Sequence, residues 1–155
     1  MKKFLPLIII AVLAIGIYSW VKGINNTAVT LNENIKESWG NVETAYERRN
    51  SLIGNLVNTV KGAADFEKST LEAVINARSK ATQTTVDASN VTPEQLAAFN
   101  QAQSGVNSAL SRLLVSVEKY PDLKANQNFI KLQDELVSTE NQILTARTRF
   151  NETVK

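Results

Sequence analysis

Apolar residues that recur at alternating steps of three and four constrain this chain more than any other feature. Between Trp39 and Gly62 they recur with the spacing of one helical face: Trp39, Val42, Tyr46, Ile53, Leu56 and Val60. Arg49 fills the one gap in that series. Such steps are typical of the seam of a helical bundle or coiled coil, because they keep the apolar side chains on one side of a helix. The same face continues upstream through Ile35 and Leu31, toward an apolar N-terminus.

Four helices are expected after that N-terminus. The first bundle helix is predicted over about residues 28–61, after a polar break or soft start at Gly23 and the Asn-Asn-Thr that follows Ile24. Gly62 is expected to end this helix. The second helix is predicted over about residues 66–87, with Asp65 as its cap. The later half of this second helix is rich in residues that favour caps and turns.

The third helix has the clearest start signal. Thr92 is the expected N-cap, Pro93 the first helical residue, and Gln95 completes a capping box. The helix must end before Pro121, because the residue before a proline is pushed out of the helical conformation. A fourth helix is predicted over about residues 125–152. The seams of these last two helices are Leu96, Phe99, Gln103, Val106, Leu110, Leu113, Val117 and Tyr120, then Phe129, Leu132, Leu136, Thr139, Ile143, Ala146 and Phe150.

These patterns predict an all-α protein. No stretch of any length alternates with a period of two, so strands are not expected. Short loops join the four helices, which favours an antiparallel up-and-down four-helix bundle with a long first helix. We assign residues 25–155 to this bundle domain.

Residues 1–24 are predicted to be a membrane anchor. No charge interrupts the segment from Phe4 to Val21, which as a helix reaches roughly 27 Å, close to the thickness of a hydrocarbon core. Aromatic side chains at its end favour the headgroup region. The expected anchor residues are Phe4, Leu5, Ile8, Ile9, Leu13, Tyr18 and Trp20. The alternative is a cleaved signal peptide, although its cleavage site is poor.

Composition excludes several classes of chemistry. The chain has no His and no Cys, which removes His-dependent triads, His metal ligands and disulfides. A net charge of +2 with scattered basic residues gives no indication of nucleic-acid binding. The carboxylate pairs Glu33/Glu37 and Glu43/Glu47 lie one turn apart, as is common on a solvated helix face. We therefore expect no catalytic residue, no metal site, no cofactor and no enzymatic activity.

Charged residues on or beside the seams are the candidate structural site. Arg49 lies on a seam, while Arg78, Glu140 and Arg147 lie next to one. One interpretation is a buried network in which Glu67 or Glu140 accepts hydrogen bonds from these arginines, since an unpaired buried charge is costly. The other is that the side-chain stems cover apolar surface while the charged groups reach water. The sequence leaves both open.

Particular residues make the chain resemble the LemA family. They begin with Trp39, Tyr46-Glu47-Arg48-Arg49 and Val60-Lys61-Gly62, and continue through Glu67 and Ala77-Arg78. The most specific block is Tyr-Pro-Asp-Leu-Lys-Ala-Asn at 120–126, followed by Asn128-Phe129, Thr139-Glu140-Asn141, Ala146-Arg147 and Phe150-Asn151. The motif and core residues that we take from these are Trp39, Leu56, Tyr120, Pro121, Phe129 and Phe150.

The resemblance implies a bacterial membrane protein with an antiparallel helical bundle and no established enzyme activity. Relatives include a protein of magnetosome formation, which suggests membrane organisation. We therefore expect a single-pass protein of the bacterial cytoplasmic membrane that acts as a non-enzymatic scaffold or assembly module. An anchor concentrates copies in two dimensions, which favours a homo-oligomer. The expected partners are the lipid bilayer, other copies and an unidentified membrane protein. The alternative is a sensor or adaptor bundle that binds a small ligand or a partner protein.

Overall fold

A computed structural model describes residues 5–63 and 66–155, and the side chains of all these except residues 5–11. The described residues form helices and connecting turns without a strand, which confirms the all-α class. The helices are α1 (Leu5–Lys61), α2 (Lys68–Gln83), α3 (Pro93–Val117), α4 (Pro121–Lys124) and α5 (Gln127–Thr153).

The first and last long helices are antiparallel neighbours. Trp39 of α1 contacts Phe150 near the end of α5. Ten residues further along α1, Arg49 pairs with Glu140, ten residues earlier on α5. These two helices therefore run in opposite directions and are in contact over a long distance.

The other two long helices complete an up-and-down bundle. Trp39 contacts Phe99 near the start of α3, and Arg49 binds Asn107 about two turns later, so α1 and α3 run in the same direction. α2 packs on both α1 and α3 and connects the end of α1 to the start of α3. It therefore runs back against them, as the short loops predict.

The N-terminal half of α1 contains no break, which corrects the predicted one after Lys22. Thr27 donates from Oγ1 to the carbonyl oxygen of Gly23 at 3.0 Å, and Thr30 does the same to Asn26 at 3.0 Å. These bonds to the preceding turn satisfy the polar hydroxyl groups within the helix. Residues 12–34, which we call the stalk, are exposed along their whole length.

The predicted anchor is only partly within the described structure. Phe4 lies outside the described residues, and Leu5, Ile8 and Ile9 belong to the segment whose side chains are not described. Leu13, Tyr18 and Trp20 belong to the stalk and are 60–69% exposed. Among the described residues, no helix combines the length and the apolarity that crossing a bilayer requires.

The second helix is shorter at its end than predicted. It stops at Gln83 instead of about residue 87, and Thr84 adopts an extended conformation. Extended backbone after the helix allows Val86 to be buried beside Trp39 and Phe99, and this burial favours the early end. The predicted cap Asp65 lies outside the described residues; Glu67 holds the N-cap position.

The third helix begins as its sequence predicts. Thr92 Oγ1 accepts from the backbone N–H of Gln95 at 3.2 Å, and Gln95 Oε1 accepts from the N–H of Thr92 at 3.3 Å. Pro93 is the first helical residue. The link after α3 contains a short helix, α4, which the sequence did not predict and which buries Leu123. Asn126 then caps α5 by accepting from two backbone N–H groups.

The interior consists of two apolar clusters. The proximal cluster, at the stalk end, comprises Trp39, Val42, Ala45, Tyr46, Val86, Phe99, Ile143, Ala146 and Phe150. The distal cluster includes Ile53, Leu56, Val60, Leu71, Val74, Val106, Leu113, Val117, Phe129 and Leu136. Arg49 belongs to neither cluster and lies between them along α1.

Candidate functional site: a buried polar layer and a cavity beside it

Arg49 is the centre of a polar layer between the two clusters. Its side chain is only 1% exposed. Nη1 donates to Glu140 Oε1 at 2.9 Å and to Asn107 Oδ1 at 2.8 Å, and Nη2 donates to Gln103 Oε1. One guanidinium on α1 is thereby bound to two side chains of α3 and one of α5.

The guanidinium of Arg49 has an aromatic ring, buried side chains and a partly exposed carboxylate around it. Its Cζ lies 4.8 Å from the centre of the Tyr46 ring, within the range of a cation–π contact. Gln103 is buried, whereas the Glu140 side chain is 46% exposed and brings the ion pair to the bundle surface. Arg49 Nε is buried without a hydrogen-bond partner among the described residues. The layer thus holds one buried cation by three acceptors.

Three of the predicted network residues, Arg78, Glu67 and Arg147, lie outside this layer. Arg78 donates from Nε to the backbone carbonyl of Asn50 at 2.8 Å, and its guanidinium lies so close to Gly54 that a Cβ there would be 3.4 Å from Cζ. Glu67 is exposed at the start of α2, where it accepts from the hydroxyls of nearby Ser and Thr residues. The expectation that Glu67 accepts from an arginine is therefore corrected, since its helix-start position favours local hydroxyl donors.

Two layer residues were not predicted as members. The sequence contains a sign that Gln103 is a buried polar residue, because it lies on the apolar seam of the third helix. It contains no such sign for Asn107, which lies beside that seam on an exposed face. Both accept from Arg49 because they lie on α3 at the height of Arg49.

Arg147 lies at a separate feature, a cavity of about 50 Å³ at the proximal cluster. Its guanidinium is exposed and has no hydrogen bond or ion pair with any described residue. Asn100 of α3 and Asn151 of α5 line the same cavity, and their amides also have no partner within the described part of the chain. The remaining lining is apolar and aromatic.

Trp39 forms the aromatic wall of this cavity together with its ring neighbours. It meets Phe99 and Phe150 edge-on, with ring centres 5.3 Å and 5.0 Å apart. Tyr46 meets Phe99 in the same way at 5.0 Å. Trp39 is 2% exposed, and its indole N–H has no hydrogen-bond partner among the described residues. A buried donor without a partner is unusual and calls for an explanation.

The motif and core residues occupy different environments. Trp39, Leu56, Phe129 and Phe150 are at most 4% exposed. Tyr120 is half-buried, with its ring centre 4.9 Å from that of Phe66, and Pro121 is exposed as the first residue of α4.

No group of three or more acidic side chains within the described ranges lies close enough to hold a metal ion.

Comparison with known proteins identifies relatives over most of the chain. The model of the LemA family matches residues 38–155. Protein LemA of Metamycoplasma hominis is 26% identical over 145 residues, which cover 93% of this chain and 63% of that protein. Magnetosome protein MamQ 2 of Paramagnetospirillum magneticum is 29% identical over 147 residues, which cover 81% of this chain and 53% of that protein. The chain therefore spans between half and two thirds of the length of these curated relatives.

Proposed function

This chain belongs to the LemA family, and from that premise we propose that it is a non-enzymatic scaffold of a bacterial cytoplasmic membrane that associates with copies of itself. A single N-terminal span would anchor it, and the bundle would form the assembly module. Its relatives include proteins named as magnetosome proteins, which supports a role in organising a membrane compartment. The observation that carries self-association is the uncovered apolar face of the stalk.

That face consists of Val21, Ile24, Ala28 and Leu31, which we call the stalk seam. Its steps of three and four lead directly into Ile35 and the buried face of α1 in the bundle. Ile24 and Leu31 are 52% and 53% exposed. Inside the bundle the other long helices cover this face of α1, whereas along the stalk it stays exposed.

The composition of the stalk supports the proposal of a stabilising partner. Gly23, Asn25, Asn26 and Thr27 are all poor helix formers. In proteins, most of the stability of a helix comes from packing of its apolar face rather than from propensity. A second copy suits this face best, because anchored copies present identical seams in parallel and at the same height.

The membrane anchor is supported by the sequence of the N-terminal segment. Residues 4–21 carry no charge, and the aromatic side chains Tyr18 and Trp20 lie near the end of that segment. Nothing in the described part of the chain covers Leu13, Tyr18 or Trp20. A bilayer would cover them and would hold the stalks of neighbouring copies together.

Light scattering on the full chain in detergent tests self-association. Ile24→Asp places a charge on the stalk seam, so we expect the oligomer to dissociate to a monomer. Val29→Asp is the matched control, because Val29 is 54% exposed on the same helix but lies off the seam. We expect this variant to keep the mass of the unmodified protein. A monomeric unmodified protein, or equal masses for both variants, would refute the proposal.

A sensor or adaptor bundle is the second candidate function. The cavity beside Trp39 favours it, because Asn100, Arg147 and Asn151 line that cavity together with aromatic rings. Thermal stabilisation of the protein by a small ligand would support this role.

A further inference from the structure

The stalk has a sequence that is poorly suited to a helix without a partner. Seven of the thirteen residues from 22 to 34 are Gly, Asn or Thr. All three residue types rank low in helix propensity, and even good helix formers extend a helix near 0 °C with a constant of only about 1–1.6 per residue. The stalk is nevertheless part of the continuous helix α1. Its stability therefore has to come from something other than propensity.

The bonds of the stalk side chains are local. Residues 12–34 are exposed, and every side-chain hydrogen bond or ion pair that the described structure gives them lies within α1. The bundle begins to cover α1 only at Ile35, which is partly buried against the proximal cluster. Burial of the exposed stalk seam by a partner is then the available source of stability, because packing of an apolar face stabilises most protein helices.

The residues that flank the stalk seam suit an identical copy. In a parallel pair of helices, the positions on either side of the seam face the corresponding positions of the partner. On the stalk these positions are all polar and uncharged, so two copies would not repel each other. They are Asn25, Thr27, Asn32 and Asn34. The only charged residues of the stalk, Lys22 and Glu33, lie on its far side.

We propose that the stalk folds as it pairs, so that helix formation and self-association are one coupled step. This inference rests on the proposed self-association through the stalk seam. An unpaired copy connects its anchor to its bundle through an irregular segment, and docking of a second copy converts that segment into the helix described above. Residues 22–34 then span about 20 Å as a helix. Pairing thereby fixes the distance and direction of the bundle relative to the anchor.

A glycine away from the seam tests the coupling. Gly23 has open space where a Cβ would be added, so Gly23→Ala raises helix propensity without changing the seam. We expect the protein-to-detergent ratio at half association, measured by light scattering on the full chain, to fall about tenfold or more, since each pair folds two stalks. Gly105→Ala is the matched control, because Gly105 has the same open surroundings on exposed α3, within the bundle. It should leave this ratio unchanged.

Hydrogen exchange of the backbone amides, followed by mass spectrometry, tests the state of the stalk directly. In the associated protein we expect slow exchange in residues 22–34, as in a stable helix. Ile24→Asp should be monomeric and should exchange rapidly there, while its bundle stays protected. Val29→Asp introduces the same residue away from the seam, so it should keep slow exchange in the stalk.

The outcomes separate this inference from self-association itself. A monomeric Ile24→Asp variant with slow exchange in the stalk would show that the stalk folds without a partner, which overturns the inference and leaves self-association intact. Rapid exchange in the stalk of the associated protein would overturn it as well, and so would equal ratios for Gly23→Ala and Gly105→Ala. An unmodified protein that stays monomeric at every ratio would refute self-association and coupled folding together.

Discussion

At the scale of single residues, the buried Arg49 is the most consequential feature. Its planar guanidinium presents several donors, so it can bind Gln103, Asn107 and Glu140 at the same time. A buried ion pair is weak evidence for stability in itself, because removing charges from water is costly. The hydrogen bonds of this ion pair, however, form only when the three helices have one particular alignment. We therefore expect the layer to fix how α1 is aligned against α3 and α5.

Replacement of Arg49 tests this account. Arg49→Ala leaves Gln103 without its donor and empties the centre of the layer, so we expect about 3–5 kcal/mol of destabilisation and a clearly lower melting temperature. Arg49→Met should cost less, because it restores most of the volume with apolar atoms. Thermal unfolding followed by circular dichroism measures both variants. An unchanged melting curve for Arg49→Ala would show that the layer contributes nothing.

The acidic partner provides a matched comparison on one helix. Glu140→Gln removes the only counter-charge that the described structure places against buried Arg49. Glu135→Gln alters an exposed pair with Lys131, whose atoms lie 3.9 Å apart. We expect only the first substitution to lower the melting temperature appreciably, since exposed pairs contribute little.

At the scale of elements, helix ends follow local chemistry wherever tertiary contacts do not compete. The capping box of α3 forms as the residues Thr92, Pro93 and Gln95 predict, because every bond in it lies within one turn. The end of α2 differs, because the gain from burying Val86 depends on residues that lie far away in the sequence. Weak helix propensity destabilises the end of α2, and the burial of Val86 favours a stop at Gln83.

The cap of α3 yields a prediction at this scale. Thr92→Ala removes the oxygen that accepts from the Gln95 N–H, so we expect about 1 kcal/mol of destabilisation in a denaturant titration. Thr82→Ala is the control, because the Thr82 hydroxyl is exposed and bonds only to carbonyls of its own helix. This control should be neutral or slightly stabilising, since alanine is the better helix former. Equal losses in the two variants would argue against a stabilising box.

At the scale of the whole molecule, the two clusters belong to one bundle. α1 and α3 each pass through both clusters, and the Arg49 layer connects their helices at the boundary. Neither cluster has an independent set of helices. We therefore expect the bundle to unfold as one cooperative unit.

A substitution in the distal cluster tests this cooperativity. Leu113→Ala opens a cavity at a fully buried position and should cost about 2–5 kcal/mol. In a Trp20→Phe background, Trp39 is the only tryptophan. The unfolding transition reported by its fluorescence should move to a lower temperature, and the transition measured by circular dichroism should move with it. Val115→Ala, at a residue that is 70% exposed on the same helix, should leave both signals unchanged. A Trp39 transition that stays in place in Leu113→Ala would show that the clusters unfold separately.

The sequence by itself determined the helical class, the seams and the position of Arg49 on one of them. These features depend on periodicity and capping, which act over one or two turns and can be read from neighbouring residues. The continuity of α1 through Gly23 could not be read in this way. The helix continues there although Gly23, Asn25 and Asn26 are poor helix formers, and the hydroxyls of Thr27 and Thr30 bond to carbonyls of the preceding turn.

Only the tertiary structure decided which residues meet. Glu140 binds Arg49 across 91 positions of sequence, whereas Glu67, an equally plausible acceptor, lies at the start of α2. The same packing separated Arg147 from the layer and left the indole N–H of Trp39 buried without a hydrogen-bond partner among the described residues. Side chains on different helices meet only after the helices have taken their relative heights and rotations, and no periodicity within one helix contains that information.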